Sequence, residues 1–247
     1  MKEKFNEKVI PVILKFINTK GIQSIKNGMV TSMSPLIIGS IFLILSNFPI
    51  KAVVDVLEST GIKAVLDQAC GATFSISAMI AVIGISYSYA KLENQEPLNC
   101  AIISLASFLI LMPSSKTTES GEVVGGIIDK TWTAGQGMIG AIIVGLIVPL
   151  VYCWFLKKNI RIKMPAGVPE GVTNAFSALI PAFVILTGTA VIHGICSIGF
   201  NTTGMEIIYK VVQTPLQKMT DSLGGAVLIR TSRSSSPYTQ YRSSLLI

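Results

Sequence analysis

The spacing of charges constrains this chain more than any other feature. Between successive Asp, Glu, Lys or Arg residues lie five long charge-free intervals, at 27–50, 68–90, 97–115, 131–156 and 171–205. A charge near the centre of a bilayer costs at least about 2.5 kcal/mol, and a helix needs about 20 residues to cross roughly 30 Å of hydrocarbon. Four intervals meet that length comfortably. Composition agrees: half of the residues are hydrophobic, 13% are charged and the mean hydropathy is +0.63. Soluble chains carry about twice as much charge, so a water-soluble fold of this sequence would expose large apolar patches. The expected fold class is an all-α integral membrane protein with five transmembrane helices.

The third interval is the short one. Its apolar part runs from Leu98 to Met112 and starts just after Pro97, which suits a crossing through thinned bilayer or a re-entrant helix. The charge bias selects the crossing. With a cytoplasmic N-terminus, the inner segments hold eleven Lys and Arg residues, including Lys91 and the basic run Lys157, Lys158, Arg161 and Lys163, whereas the outer segments hold six. Lys and Arg favour the cytoplasmic side, and removing the third span would put the 157–163 run outside. The fifth interval exceeds one perpendicular helix, so its start, 171–174, is expected at the interface. In the fourth, Trp132 at one end and Tyr152 with Trp154 at the other are spaced as headgroup-level anchors of one helix about 33 Å long.

The net charge of +7 does not point to nucleic acid, because the basic residues sit at the chain start, in short loops and at the extreme end, where an anionic leaflet explains them. Residues 1–26 read as a cytoplasmic amphipathic segment: Phe5, Val9, Ile10, Val12, Ile13, Phe16 and Ile17 approach helical spacing, with Lys2, Lys4, Lys8 and Lys15 between them. Such a helix lies on the inner membrane surface, although Pro11 weakens its continuity. Lysines throughout this stretch are not the pattern of a cleavable signal peptide.

Gly135, Gly137 and Gly140 spell GxGxxG, but no strand–helix–strand unit surrounds them, and nucleotide binding is not expected. Gly137, Ala141 and Gly145 instead form a small-residue stripe that lets two membrane helices approach closely, within the chain or across a dimer. His193, the one histidine, lies in the fifth interval, where a polar side chain is a functional candidate; a structural hydrogen bond is the favoured reading, since no acidic residue lies in that interval to pair with it. Pro35, Pro149 and Pro181 fall inside spans, where neighbouring helices satisfy the carbonyls freed by a missing N–H. Cys70, Cys100, Cys153 and Cys196 are scattered, three of them in apolar runs, so no disulfide, metal or cofactor is expected. No nucleophile with a base and no intramembrane carboxylate supports a stand-alone enzyme, and no catalytic residue is assigned.

The most distinctive loop contains Met164, Pro165, Gly167, Pro169, Glu170 and Gly171, whose prolines and glycines prescribe an irregular backbone before a helix start expected at Thr173 or Asn174. The surrounding segment, IRIKMPAGVPEGVTNAFSALIPAF at residues 160–183, closely resembles the loop between the fourth and fifth helices of the membrane permease component, enzyme IIC, of bacterial phosphotransferase systems for cellobiose, lactose and related disaccharides. The run NGMVTSMSPLIIGSIFLIL at residues 27–45 resembles the start of the same permeases. The resemblance covers about residues 1–229. It implies a five-helix scaffold, here 27–203, that forms a homodimer interface in the bacterial cytoplasmic membrane. It further implies an amphipathic connector and the opening of a sixth span over 204–229, a disaccharide substrate, and a cytosolic enzyme IIB that phosphorylates the sugar.

After Ile229 the pattern departs from the family, because residues 230–247 are rich in serine and carry three arginines. They read as a disordered tail, and the sixth span as incomplete. The histidine and glutamate elements that hold the sugar in the family would follow that span, so their role is not transferred to His193. The expected function is therefore the scaffold half of a disaccharide permease, truncated and inactive alone. The alternative is a non-transporting membrane scaffold that dimerises or pairs with a full-length permease.

Overall fold

A computed structural model describes residues 17–117, 122–165, 167–200 and 202–220, with side chains described up to Val212. The amphipathic opening up to residue 16, the expected sixth span and the tail lie outside the described residues. Packing divides the chain between Ile207 and Ile208. The first unit contains α1 (Lys20–Ser46), α2 (Lys51–Ser59), α3 (Ile62–Gly71), α4 (Ser77–Leu92), α5 (Pro97–Leu111), a two-stranded hairpin, the short α6 (Lys130–Thr133), α7 (Met138–Lys157), α8 (Glu170–Gly194) and the start of α9 (Gly204–Thr220). The second unit is described only as the remainder of α9.

The interior of the bundle is built from small residues. On α1 the buried positions are Ser24, Gly28, Ser32, Gly39 and Ser46, while Val30, Met33, Ile37, Ile38, Ile41 and Ile44 are exposed. That inverts the pattern of a soluble helix, as expected where lipid solvates the large side chains and helices gain by close backbone approach. Helix α4 lies against α1, α5 and α7, with Ala78, Ala81, Val82, Ile85 and Ala90 fully buried. A Cβ on Gly84 would stand 2.7 Å from the Gly28 carbonyl oxygen, and one on Gly28 would run into the backbone of Ile85. Several buried hydroxyls satisfy themselves within their own helices: Ser32 donates to Gly28 O at 2.8 Å, Ser86 to Val82 O at 2.6 Å and Ser104 to Cys100 O at 2.8 Å.

The charge-free intervals become four long apolar helical stretches, 20–46, 62–92, 135–157 and 170–199, and the shorter apolar helix α5. Two of the charge-free intervals are broken. The second stretch stops at Gly71, passes through a 3-10 turn at Phe74–Ile76 and restarts as α4; the fourth interval stops at Thr133 and restarts through a 3-10 turn at Gly135–Gly137. The two breaks meet, since Thr133 Oγ1 donates to Ser75 O at 2.7 Å. The expectation of one continuous helix from Trp132 to Trp154 is thereby corrected, because Ala134 leaves the helical region at φ −97°, ψ −148°. Tyr152 is corrected too: at 1% exposure it belongs to the core, while Trp154 stays half-exposed.

Two further expectations change. Helix α1 starts at Lys20, so Lys20 and Lys26 belong to the first long helix and not to a separate surface segment. The fold is not wholly helical, because Ser115–Thr117 pairs antiparallel with Val123–Gly125 in the register Ser115 to Gly125. Strands of three residues are too short to show an alternating pattern.

Substitution of Gly84 by leucine is expected to force α1 and α4 apart and destabilise the fold by about 1–3 kcal/mol or more, read as a lower melting temperature in detergent. A Cβ at Gly188 meets nothing within 4 Å, so Gly188→Ala is the matched control and is expected to leave the melting temperature unchanged.

Candidate functional site

The ends of the bundle differ in chemistry. At one end, Glu93, just past the C-terminus of α4, receives Lys20 from the start of α1 at 2.8 Å and Lys157 from the end of α7. The Glu93 side chain is only 9% exposed, while both lysines are half-exposed. Burial alone would raise the Glu93 carboxyl; hydrogen bonds from Lys157 and Lys20, with their charges, hold it below the ordinary carboxylate value. Close by in sequence, Glu96 caps α5 by accepting from Leu98 N at 3.0 Å and Asn99 N at 2.9 Å, with Pro97 at the first helical position. Thus the start of α1, the ends of α4 and α7 and the start of α5 share the basic end.

The loop after α7 leaves from this end. Pro165, Gly167, Pro169, Glu170 and Gly171 are exposed and Met164 is half-buried. Gly167 adopts φ +99°, a conformation that favours glycine. Ser177 on α8 donates to Ile162 O at 3.3 Å and ties the loop down. Helix α8 starts at Glu170 and not at Thr173 or Asn174, because Pro169 sets up the first turn and the Glu170 carboxylate complements its dipole. An open groove of about 680 Å³ runs between α1 and α4 nearby, with Asn27, Thr31, Tyr87 and Lys91 along it.

The glycine stripe lies inside the bundle. Ala141 is fully buried, a Cβ on Gly145 would stand 3.1 Å from Ile85 Cβ, and one on Gly137 would lie 3.4 Å from Ala78 Cβ while colliding with the Trp132 carbonyl. The stripe therefore packs on α4 of the same chain, and that face is not free for a second copy.

At the opposite end the structure brings together residues that the sequence keeps apart. A cleft of about 330 Å³ lies among the end of α5, the start of the hairpin and the turn between α8 and α9. Ser114 and Ser115 line it from one side, and His193, Ser197, Thr202, Thr203 and Glu206 from the other. Thr203 and Glu206 form a capping box for α9: Glu206 N donates to Thr203 Oγ1 and Thr203 N to Glu206 Oε2, both at 3.4 Å, and Thr202 Oγ1 donates to the same carboxylate oxygen at 2.6 Å. Glu206 is the residue that ended the fifth interval, so scanning that interval for an acidic partner of His193 missed it. The T-x-x-E spacing was the signal that marks it. Among the described residues no group of three His, Cys, Asp or Glu side chains gathers to hold a metal.

Residues 26–231 match the family described as Phosphotransferase system, EIIC. The chain belongs to that family. Its relatives include the oligo-beta-mannoside-specific EIIC component of Bacillus subtilis, 31% identical over 217 residues, which cover 87% of this chain and 49% of the relative. The cellobiose-specific EIIC component of Geobacillus stearothermophilus is 32% identical over 90% of this chain and 50% of its own length. Among solved structures, the fold resembles ChbC, the IIC component of an N,N'-diacetylchitobiose-specific phosphotransferase system. The TM-score is 0.80 and the identity 33%, over 91% of this chain and 54% of that one. The chain spans about half the length of the curated relatives it matches. As an EIIC chain it is an integral membrane protein, which accounts for its apolar exterior.

The depressed Glu93 value fixes the sign of a pH effect: the tie to Lys20 and Lys157 is present above the ordinary carboxylate range and is lost as pH falls through the folded value. Glu93→Gln is therefore expected to lower the melting temperature by a few degrees at pH 7. The difference from wild type shrinks as the pH is taken below the ordinary carboxylate value of 4.5.

Proposed function

We propose that this chain is the helical scaffold of the permease component of a sugar phosphotransferase system of the cellobiose type. Its substrate class is a β-linked disaccharide, and a partner enzyme IIB carries the phosphoryl chemistry, so the chain itself is not the enzyme. The observation that carries the reading is the match to ChbC over nine-tenths of this chain at a TM-score of 0.80. Relatives named EIICB, such as the lactose-specific protein of Lacticaseibacillus casei, support the choice of partner. In this reading the scaffold forms a homodimer, and because the glycine stripe is filled by α4 the dimer contact uses another face.

The reading includes five crossings of the bacterial cytoplasmic membrane, with α5 as the third. Its 15 residues rise about 22 Å, short of the hydrocarbon thickness, but its two ends support a crossing. It begins just past Glu93 at the basic end and leads through the hairpin to Lys130, whose Nζ lies 2.7 Å from where a Cβ on Gly71 would be, at the opposite end. The excess of Lys and Arg at the basic end supports a cytoplasmic location for that end. In a cysteine-free background, a cysteine at Lys158 is expected to resist a membrane-impermeant maleimide in intact cells and one at Lys116 to react; the reverse result excludes this orientation.

The scaffold role itself is tested by a chimera in which residues 20–207 replace the matching stretch of the cellobiose-specific relative. Phosphorylation-coupled cellobiose uptake is expected from the chimera and not from its Gly84→Leu variant. A chimera that inserts and dimerises normally yet takes up no sugar would refute the role.

A further inference from the structure

We infer that the cleft between His193 and Glu206 is a binding site for a neutral polyhydroxylated molecule, an outward-facing vestibule where a sugar makes its first contact with the protein. The inference rests on the permease reading for its sidedness and for the identity of the sugar, but the site stands on its own chemistry.

That chemistry narrows the ligand class by elimination. The lining offers one carboxylate, one imidazole and several hydroxyls. No Lys or Arg is among the described residues that line it, so none of these offsets the Glu206 charge for a phosphate or carboxylate ligand. Only two of its side chains are of the metal-binding kind, one fewer than the smallest set that holds a divalent ion firmly. Among the described lining residues no aromatic ring is present to stack a planar group. What remains is a surface that donates and accepts hydrogen bonds at short intervals, which is what vicinal hydroxyls require. Its volume of about 330 Å³ sits at the lower end of the roughly 300–1,000 Å³ of small-molecule sites.

The groups are also uncommitted. Glu206 uses Oε2 to hold Thr202 and Thr203, which fixes the carboxylate and leaves Oε1 as an acceptor. The hydroxyls of Ser114, Ser115 and Ser197 make no hydrogen bond among the described residues. His193, which lines the cleft, has an enclosed Nδ1 with no hydrogen-bond partner among the described residues either. A buried polar atom without a partner is costly, and His193 carries that cost at the wall of the cleft. The absence of an aromatic platform implies weak, rapidly reversible binding, which suits a point of entry better than a site of occlusion.

The test uses the 247-residue chain in lipid nanodiscs and radiolabelled cellobiose in equilibrium dialysis. Saturable binding in the millimolar range is expected, weakened about tenfold by His193→Phe and by Glu206→Gln, the latter retaining an acceptor for the cap. Ser197→Ala, which removes an uncommitted hydroxyl, keeps the test open if either of those variants fails to fold and is expected to weaken binding about threefold. Thr31→Val in the α1–α4 groove is expected to change nothing. Absence of saturable binding, or binding that the folded cleft variants leave unaltered, overturns the site. In the chimera, the same variants are expected to raise the KM for uptake with kcat unchanged. Uptake by the chimera without sugar binding to the chain would remove the vestibule and leave the permease reading standing; binding without uptake would do the opposite.

Discussion

The backbone contact between Gly28 of α1 and Gly84 of α4 is the constraint on which the bundle depends. Residues 84 and 85 are gripped from two sides: Gly84 meets the carbonyl of Gly28, and Ile85 fills the space left by Gly145 on α7. Helix α4 can occupy the centre only because both neighbours lack a side chain at the point of contact. Where lipid is as apolar as leucine, burying a large side chain gains little, and what favours association is the dispersion energy of closely opposed backbones. The same reasoning explains why Ile37, Ile41 and Ile44 point outward from α1 while Ser24, Ser32 and Ser46 point in.

With the centre fixed, the ends are held by different means. At the basic end a single carboxylate gathers two lysines from helices far apart in sequence, and its low exposure makes that tie less dependent on solvent screening than a surface pair. At the other end hydroxyl hydrogen bonds tie separate elements together, one of them to a carboxylate. Thr133 bonds to the Ser75 carbonyl between the two helix breaks, and Ser46 donates to Asp67. Broken helices expose carbonyls that need donors, and pairing one break with another supplies them without importing charge.

Much of this was legible in the sequence, and the parts that were not share a cause. Charge-free intervals report where a chain can be solvated by lipid, so they located the four long apolar stretches and α5. They say nothing about backbone continuity, which is why the breaks at Ala72–Phe74 and Ala134 went unseen: the residues there are apolar or small and raise no signal on a hydropathy scale. Tyr152 and Trp154 looked alike as aromatic anchors, yet they lie on opposite faces of α7, and only the packing of α4 and α5 decides which is buried. The Gly137, Ala141 and Gly145 stripe was readable as a packing surface, but its partner was not, because small residues specify closeness and not identity. The cleft around His193 was the hardest to foresee, since it joins residues about 80 positions apart, from Ser114 to Ser197, through tertiary contact.

That cleft also shows how a single local motif comes to serve two ends. The Thr203–Glu206 box satisfies amide groups that any helix start leaves unpaired, and α9 needs it whether or not a ligand exists. In this box the Oε2 oxygen of the carboxylate faces the preceding turn. Gly204 packs against Leu111 and Met205 fills the space over Gly140, so the cap is pressed against α5 and α7 and has no freedom to turn elsewhere. The serines that close the opposite wall sit where α5 gives way to the hairpin, at Ser114 and Ser115, and their position follows from the Ile127 N to Ser114 O bond at 3.3 Å that folds the hairpin back. Several hydroxyls elsewhere in the bundle satisfy themselves within their own helices, whereas here hydroxyls, an imidazole and a carboxylate from separate elements gather around one cleft.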